Sequence, residues 1–275
     1  MMHELIQDRH DGILTLTLNR PNRGNATTHP MIRQLRLWLE EAAVDPSVRV
    51  VVLQGAGASF SVGGDVAALS HADVDDPVVA RNQDHPAWHD TELRSDRIRL
   101  NSRAAELLYT MPKPTIAALR GHAIGAPLGM ALACDFRLAS DTLKLRTGFA
   151  GIGLSGDYGV SYQLLKLAGP TRAREILMLN EVLDAEAARR DGLVGRVLPD
   201  AELDDAARAL AQRLAEGPGL AYRHIKSNLV DAETASFGAA LDMESLRQAR
   251  AVYSGDAQEA IAAFQEKRPP RFRGY

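Results

Sequence analysis

Asp157 is the single acid in the stretch GIGLSGDYGVSYQLL (151–165), where a run of glycines becomes an apolar, helix-like segment. An aspartate at such a boundary can cap the following helix by accepting from its free N–H groups. A carboxylate held in a glycine turn can also carry a proton between two atoms of a substrate. Local sequence alone favours the cap.

Two glycine-bearing segments shift that balance. ASFSVGGDVAAL (58–69) follows the apolar run VVVLQG, and KPTIAALRGHAIGAPLGMALACDFRLAS (113–140) takes a strand into a glycine turn and then a short apolar helix. Glycine lets backbone N–H groups point outward at such turns, and a helix start adds unpaired donors. Two turns facing each other would offer two N–H groups to one developing oxyanion. Each alone is an ordinary turn. Together they begin to specify a site, and Asp157 becomes its acid–base candidate.

Three other patterns carry less. His85 and His89 lie four apart beside Asp84, Asp90 and Glu92, but Pro86 breaks the helical face a metal pair would need, and a solvated polar loop is expected. GIGLSG (151–156) matches the dinucleotide fingerprint G-x-G-x-x-G, yet KLRTGFA precedes it instead of a buried strand. No GxSxG elbow or P-loop is present. Asp90 and Glu92 could reach a pocket if residues 70–97 fold over it, and His122 beside the second turn reads as core-facing. None of these three is assigned a catalytic role.

The elements that must position these groups alternate. ILTLTLNRP (13–21), VRVVVLQG (48–55), TIAALRG (115–121) and DFRLAS (135–140) read as strands, and 30–43 has apolar residues at helical spacing. Strands alternating with helices predict an α/β fold. Residues 70–97, rich in Asp, His and Arg, interrupt the pattern as a variable insertion leading into a helix near 98–110. From about residue 157 the chain is mostly helical, with apolar stripes that suit packing on a neighbouring subunit.

At 275 residues, with 45% hydrophobic and 24% charged residues, the chain can build a sizeable core as one large domain or one domain with a helical appendage. A net charge of −3 gives no reason to expect a nucleic-acid or membrane-surface partner. The one cysteine, Cys134, excludes an intramolecular disulfide and reads as a small buried side chain. The N-terminus does not read as a signal peptide, and no apolar run approaches the ~20 residues that span a bilayer. A cytoplasmic protein is expected.

In order along the chain, LNRPNRGNA (18–26), FSVGGDV (60–66), 113–140, FAGIGLSGDYGVSYQLLKLAGPTRAREILMLN (149–180), DGLVGRVLP (191–199) and AFQEKRPPRF (263–272) resemble the crotonase, or enoyl-CoA hydratase/isomerase, superfamily. The resemblance implies an α/β spiral of ββα units over residues 1–200. It implies a helical region over 201–275 for oligomerisation and completion of the coenzyme A site. A homotrimer, or a hexamer of two trimers, would be the assembly. The substrate would be an acyl-CoA thioester, with no metal or redox cofactor. The backbone N–H groups of Gly64 and Ala126 would form the oxyanion hole. The adenine would lie along Ser61–Val62, with Arg23 and Lys267, the latter from a neighbouring subunit, on the coenzyme A phosphates.

The chain departs from the two-glutamate pattern of typical hydratases in the family. The matching positions are Gly129 and Phe149, neither of which can carry a proton. The resemblance is closest to isomerase-type members with an aspartate in the glycine-rich turn, including the 1,2-epoxyphenylacetyl-CoA type, which points to Asp157. Phe149, Leu154 and Tyr158 are the apolar neighbours expected to raise its pKa. Hydration, acyl-CoA hydrolysis, ring opening and noncatalytic acyl-CoA binding remain the alternatives, with a dinucleotide oxidoreductase more remote.

Overall fold

The computed structural model describes residues 4–65, 77–82 and 84–274. Residues 66–76 and 83, within or beside the expected 70–97 insertion, lie outside the described residues. Strands β1 (Leu5–His10) and β2 (Ile13–Leu18) form an antiparallel hairpin, and helix α1 (His29–Val44) follows, its N-terminus capped by Thr28. Then come β3 (Val50–Gly55), the short α2 (Pro77–Asn82) and the long α3 (Thr91–Thr110). The chain continues through β4 (Thr115–Leu119), β5 (His122–Ile124), α4 (Gly125–Leu132), β6 (Phe136–Ser140), β7 (Lys144–Arg146) and α5 (Val160–Met178). Next are β8 (Leu183–Asp184), α6 (Ala185–Arg190) and β9 (Arg196–Leu198). Four helices end it: α7 (Leu203–Ala215), α8 (Gly219–Ala232), α9 (Phe237–Val252) and α10 (Gly255–Glu266).

The large sheet has the order β1-β2-β3-β4-β6-β9, parallel beyond the first hairpin. A smaller sheet has the order β5-β7-β8. The repeat is visible in the connections: β4 to β5 to α4, then β6 to β7 to α5. Each turn of chain gives a strand to the large sheet, a strand to the small one, and a helix. This is the expected α/β spiral of ββα units.

The central strands read as unbroken apolar runs because both faces are covered. Val51, Leu53, Ala117 and Leu119 face the main core with Leu35, Leu39 and Leu108 from α1 and α3. Val50, Val52 and Ile116 face the other way, onto Ala211, Leu214 and Ala215 of α7. The first helix of the C-terminal region thus closes the sheet's second face.

One expectation changes, and one strand is new. The helix expected near 98–110 begins at Thr91, because Asp90 accepts hydrogen bonds from the Glu92 and Leu93 N–H groups (2.9 and 3.2 Å) and caps it. Strand β1 has only Leu5 buried, so its sequence, LIQDRH, offers no apolar alternation to read. Pairing with β2 defines it.

Candidate active site

Two loops come together by backbone pairing. The Ser61 N–H donates to the His122 carbonyl (2.8 Å), and the Ile124 N–H donates to the Ser61 carbonyl (3.0 Å), so Ser61 adds a rung to β5. On the loop's other side, the Thr27 N–H donates to the Gly63 carbonyl and the Asp65 N–H to the Thr27 carbonyl, both at 2.9 Å. In such a parallel bridge the residue between the two bonds, Gly64, directs its own N–H away from Thr27. Gly63 and Gly125 both have positive φ (109° and 67°), and a Cβ on Gly125 would lie 3.5 Å from the Gly63 Cα. The two glycine turns are therefore in contact, and the positive φ at both positions is what favours glycine there.

Ala126 lies in the first turn of α4, so its N–H has no carbonyl four residues back to bind within the helix. Ile124 supplies no side-chain cap. A Cβ added to Gly64 would meet nothing within 4 Å. Among the described residues, then, the Gly64 and Ala126 N–H groups have no backbone carbonyl partner and lie on adjoining turns, with open space beside Gly64.

Asp157 does not cap a helix. Helix α5 starts at Val160 after Gly159, with no side-chain cap. The Asp157 Oδ1 atom is buried without a hydrogen-bond partner among the described residues. Burial pushes its carboxyl up to about 6 from the ordinary value of 3.8. The residue as a whole is half-buried, and removing one carboxylate oxygen from water without a partner disfavours the charged form, which is the cause of that rise.

The turn bearing Asp157 rests on α4. Gly129 lies three residues after Ala126, on the same face of that helix. A Cβ on Gly129 would come 2.8 Å from the Tyr158 carbonyl oxygen and 2.9 Å from its Cβ. The residue after Asp157 thus packs about one helical turn from the Ala126 N–H. Tyr158 is buried in the main core, while Phe149 is half-buried and packs against it. Leu154, expected to shield the acid, is 51% exposed and does not bury it within this chain.

The remaining expected site residues divide. Arg23 is exposed on the loop whose Gly24 carbonyl accepts from the Val62 N–H (2.9 Å), so Arg23, Ser61 and Val62 are neighbours. The Ser61 backbone is consumed by β5 and its hydroxyl by the Asn25 carbonyl (2.7 Å), leaving half-exposed Val62 as the available surface. Lys267 is exposed at the end of α10. The tail beyond it is tied through the Phe272 carbonyl to Arg49 (3.3 Å), at the opposite end of β3 from the Ser61 loop.

His122 is exposed, not core-facing, because it opens an edge of the small sheet; its Nδ1 lies 3.4 Å from the Ser59 hydroxyl. Nδ1 of His85 accepts from the Ala87 N–H, a capping role. Among the described residues no group of three or more His, Cys, Asp or Glu could hold a metal. Cys134 is buried, its thiol pushed up to about 12 by that burial. No described helix is long and apolar enough to cross a membrane.

Sequence reasoning missed Asn25. It is fully buried with φ 56°; its side chain accepts from the Arg20 N–H (2.8 Å) and donates to the Ala56 and Ser59 carbonyls (2.8 and 2.7 Å). It ties the LNRPNRGNA loop to the loop that carries Gly64. Its place five residues after Arg20, inside a Pro- and Gly-bearing loop, was the available signal.

Comparisons with known proteins agree with this fold. The family model described as enoyl-CoA hydratase/isomerase matches residues 8–275. The chain is 34% identical over 274 residues to 1,2-epoxyphenylacetyl-CoA isomerase of Escherichia coli (strain K12), covering 100% of both. It is 30% identical over 273 residues to 2,3-dehydroadipyl-CoA hydratase of the same organism, covering 99% of this chain and 100% of the relative. A crystal structure of an enoyl-CoA hydratase from Polaromonas sp. JS666 superposes with a TM-score of 0.85 at 29% identity, covering 98% of this chain and 99% of that one.

Proposed function

The chain belongs to the enoyl-CoA hydratase/isomerase family, and from that premise we propose that it is an acyl-CoA double-bond isomerase with Asp157 as its single proton carrier. The observation that carries this reading is the Asp157 carboxyl, its Oδ1 buried and unpartnered among the described residues, in a turn that packs on α4, the helix whose first turn holds Ala126.

The thioester carbonyl of a 3-enoyl-CoA would accept hydrogen bonds from the Gly64 and Ala126 N–H groups. Charge moving onto that oxygen acidifies C2, and the Asp157 carboxylate takes a C2 proton to leave a dienolate. The same proton returns at C4 and the double bond shifts to C2–C3. No atom is gained or lost. A carboxyl titrating near 6 suits a group that must both accept and return a proton at neutral pH.

Coenzyme A is part of the substrate in this reading, and no other cofactor enters the proton transfer. Val62 and Arg23 would meet the nucleotide end, with Lys267 contributed by a neighbouring copy. Phe237 at the start of α9, Tyr253 just past its end and Phe264 of α10 are each more than 80% exposed, which supports a second copy as their cover and a trimer as the assembly.

The test is incubation with 3-enoyl, 2-enoyl and aromatic acyl-CoAs, following products by mass and isotope. The reading expects conversion of 3-enoyl to 2-enoyl-CoA with no incorporation of solvent oxygen, and loss of turnover in Asp157→Asn with acyl-CoA binding retained. Solvent oxygen in the product would instead mark a hydratase, a reading that the similarity to 2,3-dehydroadipyl-CoA hydratase keeps in view.

A further inference from the structure

The segment after β7 is fastened from behind by the chain around the C-terminal end of α5. The fully buried Thr147 hydroxyl donates to the Ile176 carbonyl (3.4 Å). The Gly148 N–H donates to the Asn180 side-chain oxygen (2.9 Å), and Nε of Arg146 donates to the Asn180 carbonyl (3.2 Å). Asn180 has φ 55°, a left-handed conformation that asparagine adopts more readily than most residues. The other end of its amide is equally confined, since a Cβ on Gly151 would lie 2.5 Å from the Asn180 Nδ2 atom. One side chain thus spans Gly148 and Gly151, the residues on either side of Phe149 and Ala150.

The held segment touches both parts of the site. A Cβ on Gly148 would fall 3.0 Å from Cγ2 of Ile124, the residue before the Gly125–Ala126 turn. The Phe149 carbonyl accepts from the Ile152 and Leu154 N–H groups (3.0 and 2.9 Å), which folds the chain back toward Asp157. The Phe149 ring lies 3.7 Å from where a Cβ on Gly156 would stand, and Gly156 immediately precedes the acid. We infer that Asn180 is a positioning residue for the proton transfer: its amide sets the 148–151 segment, and through it the Phe149 ring that keeps water from one side of the Asp157 carboxyl. The inference rests on the isomerase reading and deepens it. Burial is the cause of the raised Asp157 carboxyl, and the adjacent Tyr158 phenol, pushed further up by its own burial, stays neutral. Loosening the wall would therefore admit water and lower the Asp157 value.

Asn180→Gly keeps the left-handed backbone and deletes the amide, while Gly151→Ala displaces the amide with Asn180 intact. Asn180→Asp retains an oxygen to accept from the Gly148 N–H. Each is measured for kcat, KM and pH–rate profile on 3-enoyl-CoA, with circular dichroism and a thermal melt for fold. For the first two the expected kcat is about tenfold lower, because a small displacement around a reacting group is costly. Their acid limb in kcat/KM should move from about 6 toward the value near 4 of an aspartate in water, which destabilisation alone does not produce. Asn180→Asp should recover most of the turnover and the parental limb. Parental kcat and limb in either folded variant overturns the inference. So does a lower kcat with an unmoved limb, or a loss in Asn180→Asp as large as in Asn180→Gly. If Asp157→Asn is inactive while Asn180→Gly is parental, only this inference fails; if Asp157→Asn keeps full activity, the isomerase reading itself falls.

Discussion

The Arg20 guanidinium lies 3.0 Å from the Asp65 carboxylate, one residue beyond Gly64. The same guanidinium group bonds the Ala26 carbonyl (2.7 Å) and Glu4 (3.0 Å), and both Arg20 and Asp65 are largely shielded from solvent. One cation thus fixes both ends of the LNRPNRGNA loop and the residue that anchors the Gly64 turn. Asp65→Ala should lower kcat on the preferred acyl-CoA by on the order of tenfold, because small displacements of a positioned group cost catalysis steeply. Steady-state kinetics beside a thermal melt will separate this from general destabilisation.

Ala126→Pro removes one proposed oxyanion donor at a helix position where proline is tolerated. The expected loss is about 10²–10³ in kcat, roughly 2.7–4 kcal/mol, by analogy with the removal of single donors elsewhere. Acyl-CoA binding measured by calorimetry should change much less than turnover.

The raised Asp157 carboxyl fixes a direction for activity against pH. As the base that opens the reaction it must be ionised, so kcat/KM should fall as pH drops through about 6. An aspartate in water would place that limb near 4, about two units lower. A pH–rate profile on a nonsticky substrate reads the limb directly.

The same shift has an opposite effect on stability. Below about pH 4 the group is protonated both folded and unfolded and contributes no difference. Between about 4 and 6 the unfolded chain ionises first, so the native state loses ground as pH rises, and the penalty is complete above 6. Asp157→Asn should therefore melt higher than the parent at pH 7 to 8, with the gap closing below pH 4. At about 1.4 kcal/mol per unit the gain is at most about 3 kcal/mol, less whatever solvent screening removes.

Lys226 is a structural counterpart to these groups. Its ammonium is buried on α8 and donates to the Leu108 carbonyl (2.8 Å), the Lys113 carbonyl (3.2 Å) and Asp135 (2.8 Å). Asp135 in turn accepts from the Thr115 N–H and hydroxyl. Lys226→Met strands a partly buried carboxylate and should cost about 3–5 kcal/mol of stability, read as a lower denaturation midpoint with unchanged slope.

The sequence by itself determined the α/β class, the central strands, most of the helices, and the two glycine turns with Asp157 beyond them. These were legible because apolar periodicity and glycine chemistry are local: VVVLQG and TIAAL are apolar throughout, and GGD and GAP mark their turns. Strand β1, the short strands β5, β7 and β8, and the capping roles of Asp90 and His85 were not legible, because partners distant in sequence define them. For Asp157 the local sequence favoured a helix cap, and the same residues also allow the side chain to stay free. Tertiary structure decided it. The Tyr158 backbone settles over Gly129, helix α5 starts without the Asp157 side chain, and burial leaves that carboxyl unpaired beside α4. Long-range packing sets the free energy of ionising a side chain, and no window of neighbouring residues contains that term.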